Sequence, residues 1–475
     1  MQPDFHTVIV GAGPSGTAAA TLLAQAGKSV CVVDKATFPR DKCCGDGLTT
    51  LALRELEKIG FVPSTVASWK TIHSARLRSP SGREVEVPLP SGQGQYAAVA
   101  TRLDLDAALV DHARNAGAVI RENCEFLNIT AENNFALISF TDGTSVTAQH
   151  VIAADGMWSP VRKSLGLLEE GYLGEWHAFR QYATNITGPA QNGLYVWFEP
   201  DLLPGYAWSF PLADGKVNIG FGVLRDGKRR IQTMKHTWED LLTRPHIVEA
   251  LGEGFTLVDR HTAWPIPANI TAAVLHHRNV MFVGDAARAT DTLTGEGIGQ
   301  ALLTGVLAAQ AILDPTTRNA SESAALYAKH ARQHLSADHH MSSLLSKMLS
   351  RPLVARGAVR IVGFNHWTRS NFARWMFEDE ARAVALTPRR WHRKFLKQRG
   401  AYYRNRTSSP TEHFPGDSTR AYTPTLWFKS RTMCRNTARS SGMSLLIARV
   451  TMTQRGQGSR ISITADPIAM CLFFH

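Results

Sequence analysis

The stretch that decides the fold reads His6-Thr7-Val8-Ile9-Val10-Gly11-Ala12-Gly13-Pro14-Ser15-Gly16. An apolar run ends in glycines spaced Gly-x-Gly-x-x-Gly, and an alanine-rich segment follows, which predicts a strand, a tight turn and a helix over 14–26. The first glycine permits the turn, the second lets the backbone approach a pyrophosphate, and the third lets helix and strand pack closely. The positive end of the helix then faces the phosphates. We therefore predict that Gly11, Gly13, Pro14, Ser15 and Gly16 bind a dinucleotide.

A second strand, predicted over 29–33, ends in Asp34 and Lys35. An acid a little more than 20 residues after the glycines is typical of a ribose-binding carboxylate. The alternative is a glycine-rich turn without a ligand, which the order strand, glycines, helix, strand and acid disfavours. Asp34 and Lys35 are therefore added to the predicted cofactor-binding residues.

Two later motifs also follow predicted strands. One is Asp155-Gly156, and the other is Gly284-Asp285, which runs on to a second glycine-rich turn at the start of a long apolar helix. Each could be an ordinary strand-end turn, but three such sites in one chain are explained most economically by a single large dinucleotide. The cofactor-binding residues predicted from these motifs are Asp155, Gly156, Gly284, Asp285, Gly295, Gly297, Ile298 and Gly299.

The composition is that of a globular protein and excludes disordered, collagenous and coiled-coil chains. The 475 residues are 44% hydrophobic and 19% charged, and six cysteines are too few for a disulfide-stapled scaffold and fit a reducing compartment. The net charge of +12 is concentrated at one end, since residues 351–475 hold 22 Lys/Arg and 6 Asp/Glu while residues 1–350 sum to −4. The charge of the main body gives no argument for nucleic acid, and no nucleic-acid partner is predicted.

The three cofactor motifs together resemble the flavoprotein superfamily that includes the aromatic hydroxylases. The resemblance implies bound FAD, with Asp285 on its ribitol or ribose and the Gly295–Gly299 turn beside the flavin ring. It also implies that Arg102, at the start of a helix predicted over 103–116, contacts the cofactor.

The loop from Phe38 to Leu48 carries adjacent cysteines, Cys43 and Cys44. From its residues alone, this segment is predicted to be a surface loop with one cysteine in the core. Two neighbouring cysteines cannot easily form a disulfide with each other and are too few to bind zinc. The segment resembles, however, the Phe-Pro-Arg-x-Lys-x-Cys-Gly-x-x-Leu loop of the geranylgeranyl reductase family, and Gly205 to Pro211 resembles the Tyr-x-Trp-x-Phe-Pro motif of that family. The resemblance covers roughly residues 5–400 and is strongest to the actinobacterial-type branch. It implies saturation of isoprenoid double bonds in a geranylgeranyl lipid or a menaquinone side chain, with Arg40 among the cofactor-binding residues.

The catalytic candidates are Cys44, Tyr206, Trp208 and Phe210. An isolated alkene accepts hydride poorly, so it must be held close to the flavin, shielded from water and given a proton. Alternation along a strand puts the three aromatic rings on one face, where they could form the wall of a substrate pocket or a core-facing stripe. Cys44 is expected near the flavin as a pocket residue or proton source, with a small buried hydrophobe as the alternative.

Two other functions remain open on this sequence. An FAD-dependent monooxygenase or halogenase acting on a hydrophobic or aromatic substrate would use the same fold, although halogenases have isoleucine at the position of Phe210. A flavin-bearing binding protein is the non-enzymatic alternative. The sequence has no second dinucleotide fingerprint, so the electron donor is predicted only as NADPH or another reductant.

The predicted fold class is α/β: a discontinuous Rossmann-like FAD-binding domain, an inserted and mainly antiparallel β-sheet substrate domain, and a C-terminal helical region. The predicted boundaries are 1–170 for the first FAD-binding part with inserted strands near 70–100, 171–270 for the substrate sheet, 271–315 for the last FAD-binding part, 316–406 for the basic helical region and 407–475 for a poorly structured tail.

The C-terminal basic segment, residues 382–406, interleaves cations with aromatic side chains. This mixture suits an anionic membrane surface, and a solvated basic face is the alternative. Because no leader precedes the first strand and no apolar run is long enough to span a bilayer, we expect a cytoplasmic protein, peripheral at the inner face of the membrane.

Overall fold

A computed structural model describes residues 2–132, 134–225, 231–384, 387 and 397–403, apart from the side chains of 231–233. The prediction for the basic segment 382–406 therefore falls largely outside the described residues, and the prediction for 407–475 falls entirely outside them.

The strands are β1 Phe5–Val10, β2 Val30–Val33, β3 Gly47–Leu48, β4 Lys70–Thr71, β5 Ser74–Arg78, β6 Glu84–Pro88, β7 Ala98–Val99, β8 Val119–Arg121, β9 Phe126–Ala131, β10 Ala136–Phe140, β11 Ser145–Ala153, β12 Trp176–Thr184, β13 Leu194–Trp197, β14 Tyr206–Pro211, β15 Val217–Leu224, β16 Thr256–Ile266, β17 His276–His277 and β18 Val280–Phe282. The helices are α1 Pro14–Gln25, α2 Thr50–Lys58, α3 Arg102–Asn115, α4 Pro160–Ser164, α5 Ile231–Leu241, α6 Pro245–Leu251, α7 Ile298–Leu313, α8 Ala320–Leu349, α9 Pro352–Val362 and α10 His366–Met376.

The first sheet brings the N-terminal strand and the strands of both later cofactor motifs together. Its order is β17-β18-β11-β1-β2-β8, with β9 and β10 attached through β11. Strands β18, β11, β1, β2 and β8 are parallel, and Val8, Ile9, Val32 and Val33 are fully buried, as expected where both faces of a parallel sheet are covered. The sheet therefore joins residues 5–153 to residues 276–282, which confirms the discontinuous α/β arrangement.

The second sheet is almost wholly antiparallel and has the order β16-β12-β15-β14-β13-β5-β6. Of the strands within the predicted range 70–100, β4 and β7 form a separate three-stranded sheet with β3, whereas β5 and β6 belong to the second sheet. Strand β5 pairs in parallel with β13 from Leu194↔Ala75 to Trp197↔Arg78, so by hydrogen bonding β5 and β6 belong with the sheet built from residues 176–266. The domain boundaries given above stay a prediction.

Two short helices, α5 and α6, follow the strand β15. The break falls where Pro245 begins α6, because proline lacks the N–H that would continue the preceding helix and suits the first helical turn.

The C-terminal helices pack on the first sheet and on the β5–β6 hairpin. Helix α7 lies very close to α1, since a Cβ atom at Gly305 would lie 2.1 Å from the Ser15 carbonyl oxygen. The Tyr327 hydroxyl of α8 donates to the carbonyl oxygen of Phe282 at 2.5 Å. No helix within the described ranges combines the length and apolarity required to cross a bilayer.

Candidate functional site

The glycine turn after β1 has the conformation and the clearance that a phosphate needs. Gly11 has a φ of +104°, and a Cβ atom there would lie 2.3 Å from the Ala154 carbonyl oxygen. A Cβ atom at Gly16 would lie 2.0 Å from the Gly11 carbonyl oxygen, so the third glycine permits the close contact of helix and strand, as predicted. At Gly13, by contrast, the nearest atom to an added Cβ is a guanidinium nitrogen of Arg40 at 3.9 Å. The backbone at the start of α1 is therefore open to an anionic ligand.

The acid at the end of β2 supports this turn. Asp34 Oδ2 accepts a hydrogen bond from the Ala12 N–H at 2.8 Å, and Oδ1 accepts one from the Ala36 N–H at 2.9 Å. The following residue, Lys35, is exposed. Asp34 thus lies beside the glycines, where a ribose-binding carboxylate is expected, and it also fixes the shape of the turn.

The two later motifs meet the first one. Gly284 lies against α1, because a Cβ atom there would come within 2.9 Å of Ser15 Oγ, and the neighbouring Asp285 accepts from Lys42 Nζ at 3.1 Å. Asp155 Oδ2 accepts from Ser159 Oγ and from the Val161 N–H, each at 2.9 Å. Its Oδ1 is buried and has no hydrogen-bond partner within the described part of the chain.

Two arginines share one buried carboxylate beside this turn. Arg102 donates to Asp106 from Nε at 2.8 Å and from Nη2 at 2.6 Å, and Arg40 Nη1 donates to the same carboxylate at 2.8 Å. Although burial raises it, the pKa of Asp106 lies below its ordinary value because of these cations. Two guanidinium groups and one carboxylate leave one positive charge in excess near Gly13, which suits the phosphates of a dinucleotide.

The second glycine-rich turn leads into α7. Gly295 has a φ of +67°, Gly297 precedes the helix and Ile298 is buried at its start. Glu296 Oε1 accepts from the Gly299 N–H at 2.9 Å, so the side chain within the turn caps the helix. Burial and the neighbouring carboxylate of Glu378 raise the pKa of Glu296.

The donor set fits FAD. An open backbone at Gly13, an unpaired buried oxygen on Asp155 and an excess cation at Arg40 and Arg102 are what the phosphates and hydroxyls of a dinucleotide require. Among the described residues no cluster of side chains suited to a metal ion is present.

The cysteine loop is held by two strands of the second sheet. Arg180 of β12 donates to the Cys44 carbonyl oxygen at 3.1 Å and to both carboxylate oxygens of Asp41 at 2.9 and 3.1 Å. Asn218 of β15 donates to the same Cys44 oxygen at 2.8 Å. The Cys44 thiol is only partly accessible, and burial raises its pKa to about 11. The loop is therefore fixed, and its thiol is protonated at neutral pH.

The loop itself contains a buried acid, Asp46. Its Oδ2 accepts from Asn218 Nδ2 and from the Tyr182 hydroxyl, each at 2.7 Å, and its N–H lies 3.4 Å from Cys44 Sγ. Burial raises the pKa of Asp46 to about 6.

The three aromatic side chains of β14 lie on one face, as predicted. The ring centroids of Tyr206 and Trp208 are 6.0 Å apart, and those of Trp208 and Phe210 are 6.1 Å apart. Trp208 faces Gly220 on β15, where an added Cβ would lie 2.4 Å from the ring, so the glycine makes room for the indole.

The aromatic face and the cysteine loop form one site. A Cβ atom at Gly47 would lie 3.0 Å from the Phe210 ring, and one at Gly45 would lie 3.5 Å from both Phe210 and Trp208. The two glycines therefore let the loop lie directly on the rings. Trp208 is buried, whereas Tyr206 and Phe210 are half-buried.

Four residues that hold the cysteine loop were not predicted: Asp46, Arg180, Tyr182 and Asn218. A signal for each is present in the sequence, because Asp46 lies in the quoted loop and Asn218 is a polar residue in an otherwise apolar strand. Arg180 and Tyr182 alternate along the buried strand β12, and a charged side chain in such a strand indicates a buried partner.

Comparison with known proteins places this chain in a family. A family model described as "FAD binding domain" matches residues 4–341. Menaquinone reductase of Mycobacterium tuberculosis is 35% identical over 333 residues, which are 65% of this chain and 77% of that protein. Digeranylgeranylglycerophospholipid reductase of Methanosarcina acetivorans is 29% identical over 326 residues, which are 66% of this chain and 75% of that protein.

Solved structures show the same fold at lower identity. A geranylgeranyl bacteriochlorophyll reductase-like protein from Thermoplasma acidophilum superposes with a TM-score of 0.67 at 22% identity, over 82% of this chain and 99% of that one. The p-nitrophenol 4-monooxygenase of Pseudomonas putida gives a TM-score of 0.64 at 16% identity, over 81% of this chain and 99% of that one. The chain is an FAD-dependent oxidoreductase of the FAD-binding family, and within that family it belongs with the menaquinone and geranylgeranyl-type reductases, as the sequence predicted.

Proposed function

We propose that this oxidoreductase saturates isoprenoid double bonds in the tail of a lipid, either a menaquinone side chain or a geranylgeranyl lipid. The observation that carries the proposal is the meeting of the cysteine loop and the aromatic face. Gly45 and Gly47 lie on the rings of Trp208 and Phe210, so the two segments that resemble geranylgeranyl reductases form one apolar site.

When bound, FAD supplies the hydride that an alkene carbon accepts. The chain's own residues then have three tasks: to hold an apolar tail, to exclude water and to deliver a proton. The ring faces of Tyr206, Trp208 and Phe210 offer an apolar surface, and their π-electrons stabilise positive charge that develops on carbon. Cys44 Sγ, which keeps its proton at neutral pH, is the proposed source of that proton. In this proposal the residues of the three cofactor motifs, together with Lys35, Arg40 and Arg102, hold FAD.

We also propose that NADPH, or another reductant, is the electron donor, and this proposal rests on the family resemblance. We propose further that the segment 382–406 contacts an anionic membrane at its cytoplasmic face. This second proposal rests on the alternation of cations and aromatic residues in the sequence.

The test is a single turnover without oxygen. The purified protein with FAD is reduced anaerobically and mixed with menaquinone or with a geranylgeranyl lipid. Reoxidation of the flavin with a product heavier by two hydrogen atoms is expected. Oxygen uptake stimulated by substrate, with a product heavier by one oxygen atom, would instead identify a monooxygenase and overturn the proposal.

The role of Cys44 is tested with its neighbour as the control. Cys44→Ala should lose most of the rate of alkene reduction while the rate of flavin reduction by the donor is kept, whereas Cys43→Ala should keep both. Full turnover by Cys44→Ala would refute the assignment of this thiol as the proton source.

A further inference from the structure

The C-terminal helices carry a row of large apolar side chains that are exposed. Leu344, Leu353, Ile361, Phe364 and Trp367 have 52%, 78%, 46%, 75% and 60% of their surface accessible. They lie at the end of α8, on α9 and at the turn into α10, and we call them the α9–α10 face. Single exposed apolar residues are common on soluble proteins, but here five of them fall within 24 residues and form a group.

Helix α9 has two sharply different sides. Ala355, Val359 and Val362 are buried, and a Cβ atom at the adjoining Gly363 would lie 2.8 Å from Val85 of the β5–β6 hairpin. Leu353 and Ile361, eight residues apart, fall on the opposite side of the helix. The inner side of α9 thus packs in the core, and its outer side carries apolar residues although it faces solvent.

Two exposed cations lie on this face. Residues 339–377 contain six Lys/Arg and no Asp or Glu, and of these six Arg374 is buried and pairs with Asp379 just beyond α10. Arg356 and Arg360 are exposed on α9, and within the described ranges neither side chain forms a hydrogen bond or an ion pair. Because an exposed apolar row bordered by unpaired cations is complementary to an anionic surface with an apolar interior, its chemistry matches a lipid bilayer with acidic headgroups.

The face is connected to the candidate site. The Thr50 N–H donates to the Phe377 carbonyl oxygen at 2.7 Å, and Thr49 Oγ1 donates to Glu378 at 2.9 Å. Phe377 and Glu378 directly follow α10, while Thr49 and Thr50 directly follow the cysteine loop. The segment that bears the exposed row therefore ends against the loop that bears Cys44.

We infer that the α9–α10 face docks the protein on an anionic lipid bilayer, with Leu353, Phe364 and Trp367 entering the interface and Arg356 and Arg360 at the headgroups. The inference goes beyond the proposed reaction and does not require it, although a lipid-tailed substrate would give the docking a purpose. It adds a second membrane-contacting part of the chain to the segment 382–406 proposed above.

The experiment is co-sedimentation of the full chain with phosphatidylcholine vesicles, with and without phosphatidylglycerol. Binding is expected only to the vesicles that contain phosphatidylglycerol. Arg356→Gln with Arg360→Gln should weaken binding about 30-fold, because each cation near the headgroups contributes about 1 kcal/mol. Phe364→Ser with Trp367→Ser should weaken it at least about tenfold.

Two single-substitution controls remove one cation and one apolar side chain from exposed positions elsewhere. Lys329→Gln removes an exposed cation from α8, roughly 27 Å along the helix from Lys347, and Leu127→Ser removes an exposed leucine from β9. Both should bind like the unaltered protein. Flavin content and melting temperature of every variant should stay unchanged, because all these side chains face solvent.

A third variant separates the two surfaces: Arg389→Gln, Arg390→Gln, Arg393→Gln and Lys394→Gln combined. Loss of binding in this variant together with full binding by both α9–α10 variants would overturn the inference, as would equal binding to neutral vesicles. The vesicles contain no isoprenoid substrate, so the result does not depend on whether the proposed reaction is correct.

Discussion

Replacing Asn218 with leucine would remove a side chain that joins the cysteine loop, its buried acid and the aromatic face. Asn218 is fully buried; its amide nitrogen donates to the Cys44 carbonyl oxygen at 2.8 Å and to Asp46 at 2.7 Å. Its amide oxygen accepts from Trp208 Nε1 at 3.0 Å. Leucine has the same number of side-chain heavy atoms and is bulkier, so the change removes the hydrogen bonds without leaving a cavity.

The expected loss of stability follows from what each partner keeps. The Cys44 carbonyl oxygen keeps its hydrogen bond from Arg180, and Asp46 keeps the one from the Tyr182 hydroxyl. Each of these two groups loses only part of its hydrogen bonding, so its cost in stability lies at the low end for a buried polar group. The buried indole N–H of Trp208 loses the partner it has in the structure. With about 1–3 kcal/mol for each buried group left unsatisfied, we expect the free energy of unfolding to fall by about 3–5 kcal/mol. That is a large part of the stability of an ordinary domain.

The assay is equilibrium unfolding in urea, followed by tryptophan fluorescence and far-ultraviolet circular dichroism, of the protein with FAD. Asn192→Leu, at an exposed position, is the matched control and should change the stability by about 0.5 kcal/mol at most. Circular dichroism of the flavin band should also change in Asn218→Leu, because the loop loses a fixed contact. A loss below about 1 kcal/mol with an unaltered flavin band would show that Asn218 does not hold the site together.

Three further predictions concern the same site. Gly220→Ala should lower the free energy of unfolding in urea by about 1–3 kcal/mol, because its Cβ would lie 2.4 Å from the Trp208 ring. Gly254→Ala, where an added Cβ would have no atom within 4 Å, should change it little, and equal stability of the two variants would contradict the described packing. Since burial raises the pKa of Cys44 to about 11, iodoacetamide should alkylate it at pH 8 at least about tenfold more slowly than an ordinary thiol, and rapid labelling in peptide mass maps would be inconsistent with this environment. Burial also raises the pKa of Asp46 from 3.8 to about 6, so the folded state holds this proton more tightly than the unfolded chain does. Ionisation of Asp46 then opposes folding and should by itself lower stability by about 3 kcal/mol as pH rises from about 4 to 6; Asp46→Asn should remove this share of the slope, and an unchanged slope would rule out Asp46 as a contributor.

The parts of the fold that depend on local pattern were predictable from the sequence. Gly11 and Gly16 lie where the fingerprint requires them, because a tight turn and a close helix contact demand glycine whatever the rest of the chain does. The shared face of Tyr206, Trp208 and Phe210 follows in the same way from the alternation of a strand.

The parts that depend on long-range pairing were not predictable. The β5–β6 hairpin joins the second sheet through β13, more than 100 residues later, and no local signal specifies that partner. The contacts of Asn218 and Arg180 with the Cys44 oxygen depend likewise on where β15 and β12 lie relative to the loop. A buried polar residue in an apolar strand indicates that a partner exists, but only the packing shows which one.

The protonation states in the site limit what the proposed reaction can use. Carbon of an unactivated alkene is a very weak base, so its proton must come from a group that is protonated at neutral pH and positioned in advance. Asp46, with a pKa of about 6, is mostly ionised at pH 7, and its carboxylate is occupied by Asn218 and Tyr182. Cys44 is protonated at the same pH and is partly accessible, so it has a proton to give, although a thiol with a pKa of about 11 is a weak acid. If Cys44 is the donor, transfer of its proton must therefore be driven by the hydride that arrives at the neighbouring carbon, so that proton and hydride are transferred in one concerted step. Rigid placement of the loop by Asn218 and Arg180 is then essential to the rate.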